Sequence, residues 1–287
     1  MDKELELKRI DLSTWTCFSD RVNSKSYVSA DKKWMVKFNS DTSLTDEMSM
    51  YREQDIARKA FRIGIKTPRV GDIVIDDEGR KGLVFEYIED KKSISRLFSE
   101  DLDNIDKYMK KFAEAAKEFH STVCDTEDFD SMHDRVVTQV TTRDILFESQ
   151  KTKALKFLET IEQQKFCVHG DFQTGNVIVS GDKSYWIDLN FMGYGNPEFD
   201  IGIFYTFCHI FPKQYTDTVF HCDRKYLPII WNSFIRHYYD TENEKIIAEK
   251  TERARKLSSI CLYTNLQFVI FDETKAPVMR QLIDDAL

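Results

Sequence analysis

The sequence lacks any long run of apolar residues. None approaches the roughly 20 residues that a membrane-spanning helix requires, so we expect no association with a membrane. Residues 1–6 are mostly charged and lack the apolar core of a secretory signal. Low-complexity linkers and internal repeats are absent too. We therefore expect the 287 residues to fold as one large domain or as two lobes, with a sizeable core.

Neither the cysteines nor the charges point to an extracellular or nucleic-acid-binding protein. The six cysteines are scattered without regular spacing, which favours reduced thiols in the cytoplasm. The formal net charge is −8, and residues 90–202 hold nearly all of the imbalance, with 14 basic and 21 acidic side chains. Nucleic acids recruit basic surfaces, so we expect no nucleic-acid partner. The sequence does not fix an oligomeric state.

The acidic excess in residues 90–202 has two interpretations. It favours a cationic ligand, such as an amino sugar or a quaternary amine, through electrostatic attraction. Solvated loops and helix ends are the simpler explanation of the same residues.

What the chain does contain is a polar segment set among short apolar strands. Three segments are predicted to be strands: residues 166–168, 177–179 and 185–187. Asp171 and Asn176 lie between the first two strands, and Asp188 follows the third. Asn176 and Asp188 are therefore expected at adjacent strand ends, where both could reach one ion.

These residue types suit the transfer of a γ-phosphoryl group. That reaction requires hard oxygen ligands for magnesium and one carboxylate that orients the attacking hydroxyl. We expect Asp171 to be that carboxylate, and Asn176 and Asp188 to be the Mg²⁺ ligands. The alternative is a buried polar turn that only braces two strands.

The pattern His-x-Asp-x-x-x-x-Asn at residues 169–176, with the later Ile-Asp pair, resembles the aminoglycoside phosphotransferase and choline kinase family. This family is related to the protein kinases, and the resemblance covers about residues 22–202. It implies an α+β, two-lobed, protein-kinase-like fold. Residues 1–88 would form an antiparallel-sheet lobe with one helix, and residues 89–287 a mainly helical lobe. It further implies ATP or GTP as co-substrate, Mg²⁺, and a small-molecule hydroxyl acceptor such as an aminoglycoside or other amine-bearing compound.

One position departs from the protein kinases. They carry a lysine two residues past the catalytic aspartate, and Gln173 stands there in this sequence. An amide can donate a hydrogen bond to a phosphate oxygen but brings no charge. We expect Gln173 to contact the nucleotide in this weaker way.

The N-terminal part should supply an ion pair that grips phosphate. Lys37 lies in a predicted strand and would contact the α- and β-phosphates. A predicted helix starts near residues 43–45 and ends at Gly64, and Glu53 falls within its apolar face. A buried carboxylate needs a cationic partner, which we expect to be Lys37. Glu47 is the alternative glutamate, and an ordinary solvated helix charge is the alternative role for Glu53.

Two further segments are assigned to the nucleotide by resemblance. Residues 19–27 occupy the place of the phosphate-covering loop but contain no glycine. Ser24 or Ser26 could donate to a phosphate there, although a plain polar hairpin turn explains the segment as well. Residues 83–89 resemble the strand that enters the hinge between lobes. By that resemblance the Glu86 carbonyl and the Ile88 amide would contact adenine.

The C-terminal part is predicted to be helical over residues 105–120, 145–164 and 227–239. Asp200 is expected to brace the catalytic loop or to cap the following helix, and His120 is expected to be structural. Two function classes follow. The first is a small-molecule kinase, and the second is a catalytically silent, kinase-like nucleotide-binding module.

Overall fold

The computed structural model describes residues 7–21, 24–39, 44–264 and 276–287. The strands are β1 (Lys8–Arg9), β2 (Thr16–Arg21), β3 (Ser24–Val28), β4 (Trp34–Asn39), β5 (Val70–Ile75), β6 (Lys81–Glu86), β7 (Lys92–Ser93), β8 (Phe166–Val168), β9 (Val177–Ser180), β10 (Lys183–Trp186) and β11 (Gly193–Gly195). The helices are α1 (Leu44–Arg62), α2 (Ile94–Ser99), α3 (Ile105–Ser121), α4 (Met132–Thr142), α5 (Glu148–Leu158), α6 (Glu198–Tyr205), α7 (Lys213–Phe220), α8 (Leu227–Tyr239), α9 (Glu244–Thr264) and α10 (Ala276–Ala286). Within the described ranges, no helix has the length and apolar character needed to cross a membrane.

The chain divides into two compact units. The first comprises Met1–Lys91 and Ile178–Asn190, and the second comprises Lys92–Val177 and Phe191–Leu287. The single lobe boundary near residue 88, with residues 89–287 in the second lobe, stays a prediction. Nearly all of the hairpin of β9 and β10 is grouped with the first unit, and the amide of Trp186 in β10 donates to the Lys66 carbonyl at 2.8 Å.

A six-stranded sheet forms the body of the first unit, in the order β1-β5-β6-β4-β3-β2. Its neighbouring strands are antiparallel except for the short β1, which pairs in parallel with β5. Side chains alternate along β4, so Val36 and Phe38 are buried with Val74 on one face. Met35 and Lys37 consequently point to the opposite face. The predicted antiparallel sheet is confirmed.

Helix α1 packs on the sheet through its apolar stripe. Met50 belongs to a buried cluster with Ile73 and Leu83 of the sheet. The helix ends before Gly64, whose φ of 92° is the left-handed conformation that glycine adopts at helix ends without steric cost. The predicted helix and its end are confirmed, and Glu53 lies on the packed side of α1.

The second unit is mainly helical. Helices α3 and α8 confirm the predictions over residues 105–120 and 227–239. The third predicted helix, over 145–164, is shorter, because α5 begins at Glu148 and ends at Leu158. At its start the Gln150 side chain accepts a hydrogen bond from the Phe147 amide at 3.1 Å, which satisfies a backbone donor at the helix terminus. Helix α4 was not predicted.

Four phenylalanines form the centre of the second unit. Phe112, Phe172, Phe204 and Phe234 are all fully buried. The ring centroids of Phe204 and Phe234 are 4.7 Å apart, and those of Phe112 and Phe172 are 5.0 Å apart, within the range at which aromatic rings attract one another. Phe172 lies beside Asp171 in the chain. The polar segment is thus anchored directly in the hydrophobic core.

Truncating this cluster should destabilise the protein strongly. We expect Phe234→Ala to lower the free energy of unfolding by about 3–5 kcal/mol, because it removes a buried ring and leaves a cavity. The control is Ile229→Ala on the same helix, whose side chain is 51% exposed and should cost less than about 1 kcal/mol. Urea unfolding curves measure both variants. Equal shifts would show that the cluster is not the centre of the core.

Candidate active site

The 169–176 loop of the second unit turns sharply at Gly170. The φ of Gly170 is 80°, in the left-handed region. A Cβ atom built there would lie 2.5 Å from the carbonyl oxygen of Phe191. Both the backbone conformation and the close approach therefore require glycine. This turn directs Asp171 away from the strand that precedes it.

Asp171 and Asn176 are in direct contact. The Asn176 Nδ2 group donates to the Asp171 backbone oxygen at 2.9 Å and to its Oδ2 atom at 2.8 Å. Asn176 is 3% exposed, so this amide is held in one orientation. The structure therefore brings together two of the predicted site residues, one of them a proposed metal ligand.

The Asp200 carboxylate fixes the 169–176 loop through two hydrogen bonds from loop amides. Its Oδ2 atom accepts from the His169 amide at 2.6 Å, and its Oδ1 atom accepts from the Gly170 amide at 2.9 Å. Asp200 is fully buried. Of the two roles expected for Asp200, the bracing of this loop is confirmed. The loop conformation depends on these two bonds, because buried amides are costly when unpaired.

Two side chains that the sequence did not connect with this loop support Asp200. His120 Nε2 lies 3.0 Å from Asp200 Oδ2, and His120 Nδ1 lies 2.7 Å from the Tyr238 hydroxyl. Burial raises the pKa of Tyr238, with a smaller contribution from the charge of Asp200. The expectation that His120 is structural is confirmed. Its partners Asp200 and Tyr238 lie 80 and 118 residues away from it along the chain, so sequence spacing gave no signal of the network.

Gln173 uses its side chain locally. Its Oε1 atom accepts from the Gly175 amide at 2.6 Å and caps the short turn Thr174–Asn176. The orientation leaves the Gln173 amino group as the donor that a phosphate could use.

In the first unit, Lys37 and Asp188 form an ion pair. The distance from Lys37 Nζ to Asp188 Oδ1 is 3.6 Å, with side chains 34% and 48% exposed. Asp188 has φ of 57°, a left-handed conformation that costs energy for a residue other than glycine. Aspartate tolerates it better than most residues because its side chain is short and polar. Strained backbone of this kind clusters at functional sites.

Glu53 lies close enough to this pair to feel both charges. Burial is the largest influence and raises the pKa of Glu53. The Lys37 ammonium lowers it, the Asp188 carboxylate raises it, and a hydrogen bond with Asn190 lowers it, with an upward result overall. Lys37 is the expected partner of Glu53, and its ammonium interacts with the Asp188 carboxylate as well. Asn190 is a contributor that the sequence analysis missed.

A cavity of about 270 Å³ opens beside these charges in the first unit. The predicted residues that line it are Lys37, Glu53, Glu86 and Asp188, together with Ser26. Ile88 is 8% exposed and is not among the lining residues. The side chain of Ser24, the serine assigned to the phosphates, lies outside the described residues.

The side chain of Glu86 is directed to a structural contact. Its Oε2 atom accepts from the Arg69 amide at 3.1 Å and from the Arg69 Nε at 3.3 Å. Any contact of Glu86 with a ligand would therefore come from its backbone, as the resemblance implied.

Asn176 in the second unit and Asp188 in the first unit each present an oxygen atom of the kind that suits a magnesium ion. The contacts of the Asn176 amino group leave its Oδ1 atom without a hydrogen bond among the described residues. Asp188 adds a half-exposed carboxylate. Mg²⁺ prefers such hard oxygens, and it usually takes one or two protein ligands while water and phosphates complete its shell.

Comparison with known proteins decides the family. Residues 18–226 match the model of the phosphotransferase enzyme family, abbreviated APH. The chain belongs to this family. The expected enzyme class, a small-molecule phosphotransferase, is confirmed. No curated protein matches the sequence significantly.

Solved structures of this phosphotransferase type share the fold. A thermostable mutant of aminoglycoside phosphotransferase APH(4)-Ia, with AMP-PNP and hygromycin B, has a TM-score of 0.60 at 14% identity, over 96% of this chain and 93% of that one. A choline/ethanolamine kinase family protein from Mesorhizobium loti has a TM-score of 0.56 at 12% identity, over 95% and 87%. Aminoglycoside phosphotransferase APH(3'')-Id from Streptomyces rimosus has 0.51 at 15%, over 86% and 93%. The expected fold class is confirmed.

Replacing Glu53 by glutamine should change how stability depends on pH. Because the folded-state pKa of Glu53 is raised, the folded protein binds this proton more tightly than the unfolded chain. The stabilisation is complete below the ordinary carboxyl pKa and is lost as pH rises through the raised value. We therefore expect Glu53→Gln to gain stability relative to wild type between about pH 4 and about pH 8.

Urea unfolding at the two pH values measures this difference. Glu249→Gln, at an exposed position on α9, controls for the loss of one carboxylate. A difference between Glu53→Gln and wild type that does not change with pH would contradict the raised pKa.

The Asp200 network should lose stability in a graded order. Asp200→Asn removes acceptor capacity beneath the two loop amides and should cost about 1–3 kcal/mol. Tyr238→Phe removes only the outermost hydrogen bond and should cost about 0.5–1.5 kcal/mol. Denaturant midpoints compare the two variants. The reverse order would show that Asp200 is not the centre of the network.

Proposed function

We propose that this phosphotransferase moves the γ-phosphoryl group of ATP or GTP to a hydroxyl group of a small molecule. The observation that carries the proposal is the contact of Asn176 with Asp171. One buried amide there orients a carboxylate and keeps its own oxygen available. A phosphoryl-transfer site needs both, a carboxylate for the hydroxyl and an oxygen ligand for magnesium.

Asp171 is the proposed catalytic residue. Its carboxylate would accept a hydrogen bond from the acceptor hydroxyl and take its proton as the bond to phosphorus forms. The Asn176 contact at Oδ2 orients the Asp171 carboxylate for this task. The brace from Asp200 supports the role, because a base must be held within hydrogen-bond reach of the proton that it takes.

The charges of the first unit are proposed to bind the nucleotide. Lys37 would bind the α- and β-phosphates, and Glu53 and Asp188 would hold its ammonium in place. The adjacent cavity would take the nucleoside, with backbone contacts from Glu86 and Ile88. The proposed phosphate contacts of Ser24 and Gln173 complete this set.

Asn176 and Asp188 are proposed to hold Mg²⁺. A bound magnesium ion neutralises charge on the phosphates during transfer. Each residue would present one oxygen, held by the contacts within its own unit. The left-handed backbone at Asp188 and the two hydrogen bonds of Asn176 support that assignment.

An amine-bearing acceptor, such as an aminoglycoside, is proposed on the acidic excess of residues 90–202. Part of that excess already serves the structure. Asp101 accepts from Asn104 and Tyr108, and Asp106 contacts Ser233. Other acids of this stretch are exposed, among them Asp125, Glu127 and Asp134, and their charges could attract a cation.

Replacing Asp171 by asparagine should abolish most of the turnover. We expect kcat to fall by about 10²–10⁴-fold, the usual contribution of a positioned acid or base, with a smaller change in nucleotide KM. Release of ADP or GDP measures the rate. Asp182→Asn, at an exposed position between β9 and β10, is the matched control and should keep wild-type rates. Equal rates for wild type and Asp171→Asn would remove Asp171 from the mechanism.

The acceptor itself requires a screen. Aminoglycosides, choline-like amines, amino acids and sugars are compared by the magnesium-dependent release of ADP or GDP above the rate without acceptor. Turnover with one class names the substrate. Magnesium-dependent nucleotide binding without turnover on any acceptor would instead identify the catalytically silent module.

A further inference from the structure

A lysine that the proposed function does not use lines the same cavity. Lys91 follows β6 at the end of the first segment of the first unit. Its ammonium lies 5.2 Å from the ring centroid of Tyr87 and 6.0 Å from that of Phe18. Among the residues that the structure describes, it donates to the Met35 sulfur at 3.6 Å, and a thioether is a weak acceptor.

Lys91 differs from the other charged side chains of the cavity. Lys37 has Asp188 at 3.6 Å, and Glu86 has Arg69 at 3.3 Å. Among the described side chains, no carboxylate lies within ion-pair distance of Lys91. Burial lowers the pKa of Lys91, which shows that its surroundings penalise the charge. Aromatic faces and a sulfur atom offset only part of this cost.

The strand register locates Lys91 along the cavity. Met35 and Lys37 lie on the same face of β4, two residues and therefore about 7 Å apart. Met35 pairs with Phe85, next to Glu86, which is the end of the cavity that the proposed function gives to the nucleoside. Lys37 is the residue assigned to the phosphates. The ammonium of Lys91 contacts Met35 and hence lies toward the nucleoside end.

We propose that Lys91 binds the nucleotide by donating a hydrogen bond to an acceptor atom of its nucleoside part, on the ribose or on the base. This inference rests on the proposed function, because it takes the cavity to be the nucleotide site. An ammonium has three hydrogen-bond donors, and an oxygen or nitrogen atom of the ligand would be a stronger acceptor for Lys91 than the Met35 sulfur. The rings of Phe18 and Tyr87 contact each other at 5.9 Å, and both lie within 6.0 Å of that ammonium.

Binding of ATP, GTP and inorganic triphosphate to four proteins tests the proposal. The proteins are wild type, Lys91→Met, Lys91→Arg and the control Lys92→Met, and titration calorimetry measures each affinity. Lys92 is the adjacent lysine, half-exposed and paired with Glu100 at 2.6 Å. Lys91→Met should weaken the preferred nucleotide about 10- to 100-fold, the usual value of a hydrogen bond to a charged group. Triphosphate binding and the control should not change, and Lys91→Arg should recover part of the loss.

The outcomes separate this inference from the proposed function. Wild-type affinity of Lys91→Met for both nucleotides would overturn the role of Lys91 and leave the proposed function standing. An equal loss with inorganic triphosphate would place the contact on the phosphates and would also overturn it. If wild type itself binds neither ATP nor GTP, the proposed function fails and the inference fails with it. Unfolding curves of Lys91→Met confirm that the variant is folded.

Deoxynucleotides then distinguish the two acceptors of the nucleoside. If Lys91 donates to the ribose 2′-hydroxyl, the loss caused by Lys91→Met should disappear when 2′-deoxy-ATP or 2′-deoxy-GTP is the titrant. If it donates to the base, the loss should persist with the deoxynucleotides. A loss confined to the guanine nucleotides would then indicate guanine O6, and an equal loss would indicate an acceptor that both purines share, such as N7.

Discussion

The buried carboxylate of Asp200 is the interaction on which the second unit's polar segment depends. It accepts hydrogen bonds from the backbone amides of His169 and Gly170. It also lies at the centre of a hydrogen-bond network that extends through His120. A fully buried charge is tolerated only when hydrogen bonds satisfy it. Here the loop supplies those bonds, so the burial of Asp200 and the shape of the loop require each other. The contact of Asn176 with Asp171 is built on that shape.

The charged side chains of Lys37, Glu53 and Asp188 in the first unit are arranged at a cost in stability. Glu53 and Asp188 both lie near Lys37. Burial is the main cause of the raised pKa of Glu53, the Asp188 carboxylate adds to it, and the Lys37 ammonium offsets only part of the rise. The left-handed backbone at Asp188 adds local strain. Both features cost stability in the absence of ligand. Under the proposed function, a magnesium-nucleotide complex, with its positive ion and its phosphates, would relieve both costs.

The elements with strong periodicity were predictable. The alternation around Val36 indicated β4, and the helical stripe with its glycine stop indicated α1. Segments with weaker patterns were not, since α4 was missed and the predicted helix over 145–164 was too long. The hairpin of β9 and β10 belongs to the first unit. Its strands are short, and only backbone bonds to residues far away in the chain reveal that placement.

The sequence by itself determined the family and the residue types of the site, because a carboxylate, an amide and a second carboxylate at fixed spacing carry their chemistry locally. The tertiary structure decided which groups meet. Lys37 interacts with Asp188 as well as with Glu53, and His120 contacts Asp200. Lys91 has no carboxylate within ion-pair distance among the described side chains. The physical reason is that pairing and burial depend on contacts between residues distant in the chain, and local spacing contains no information about them.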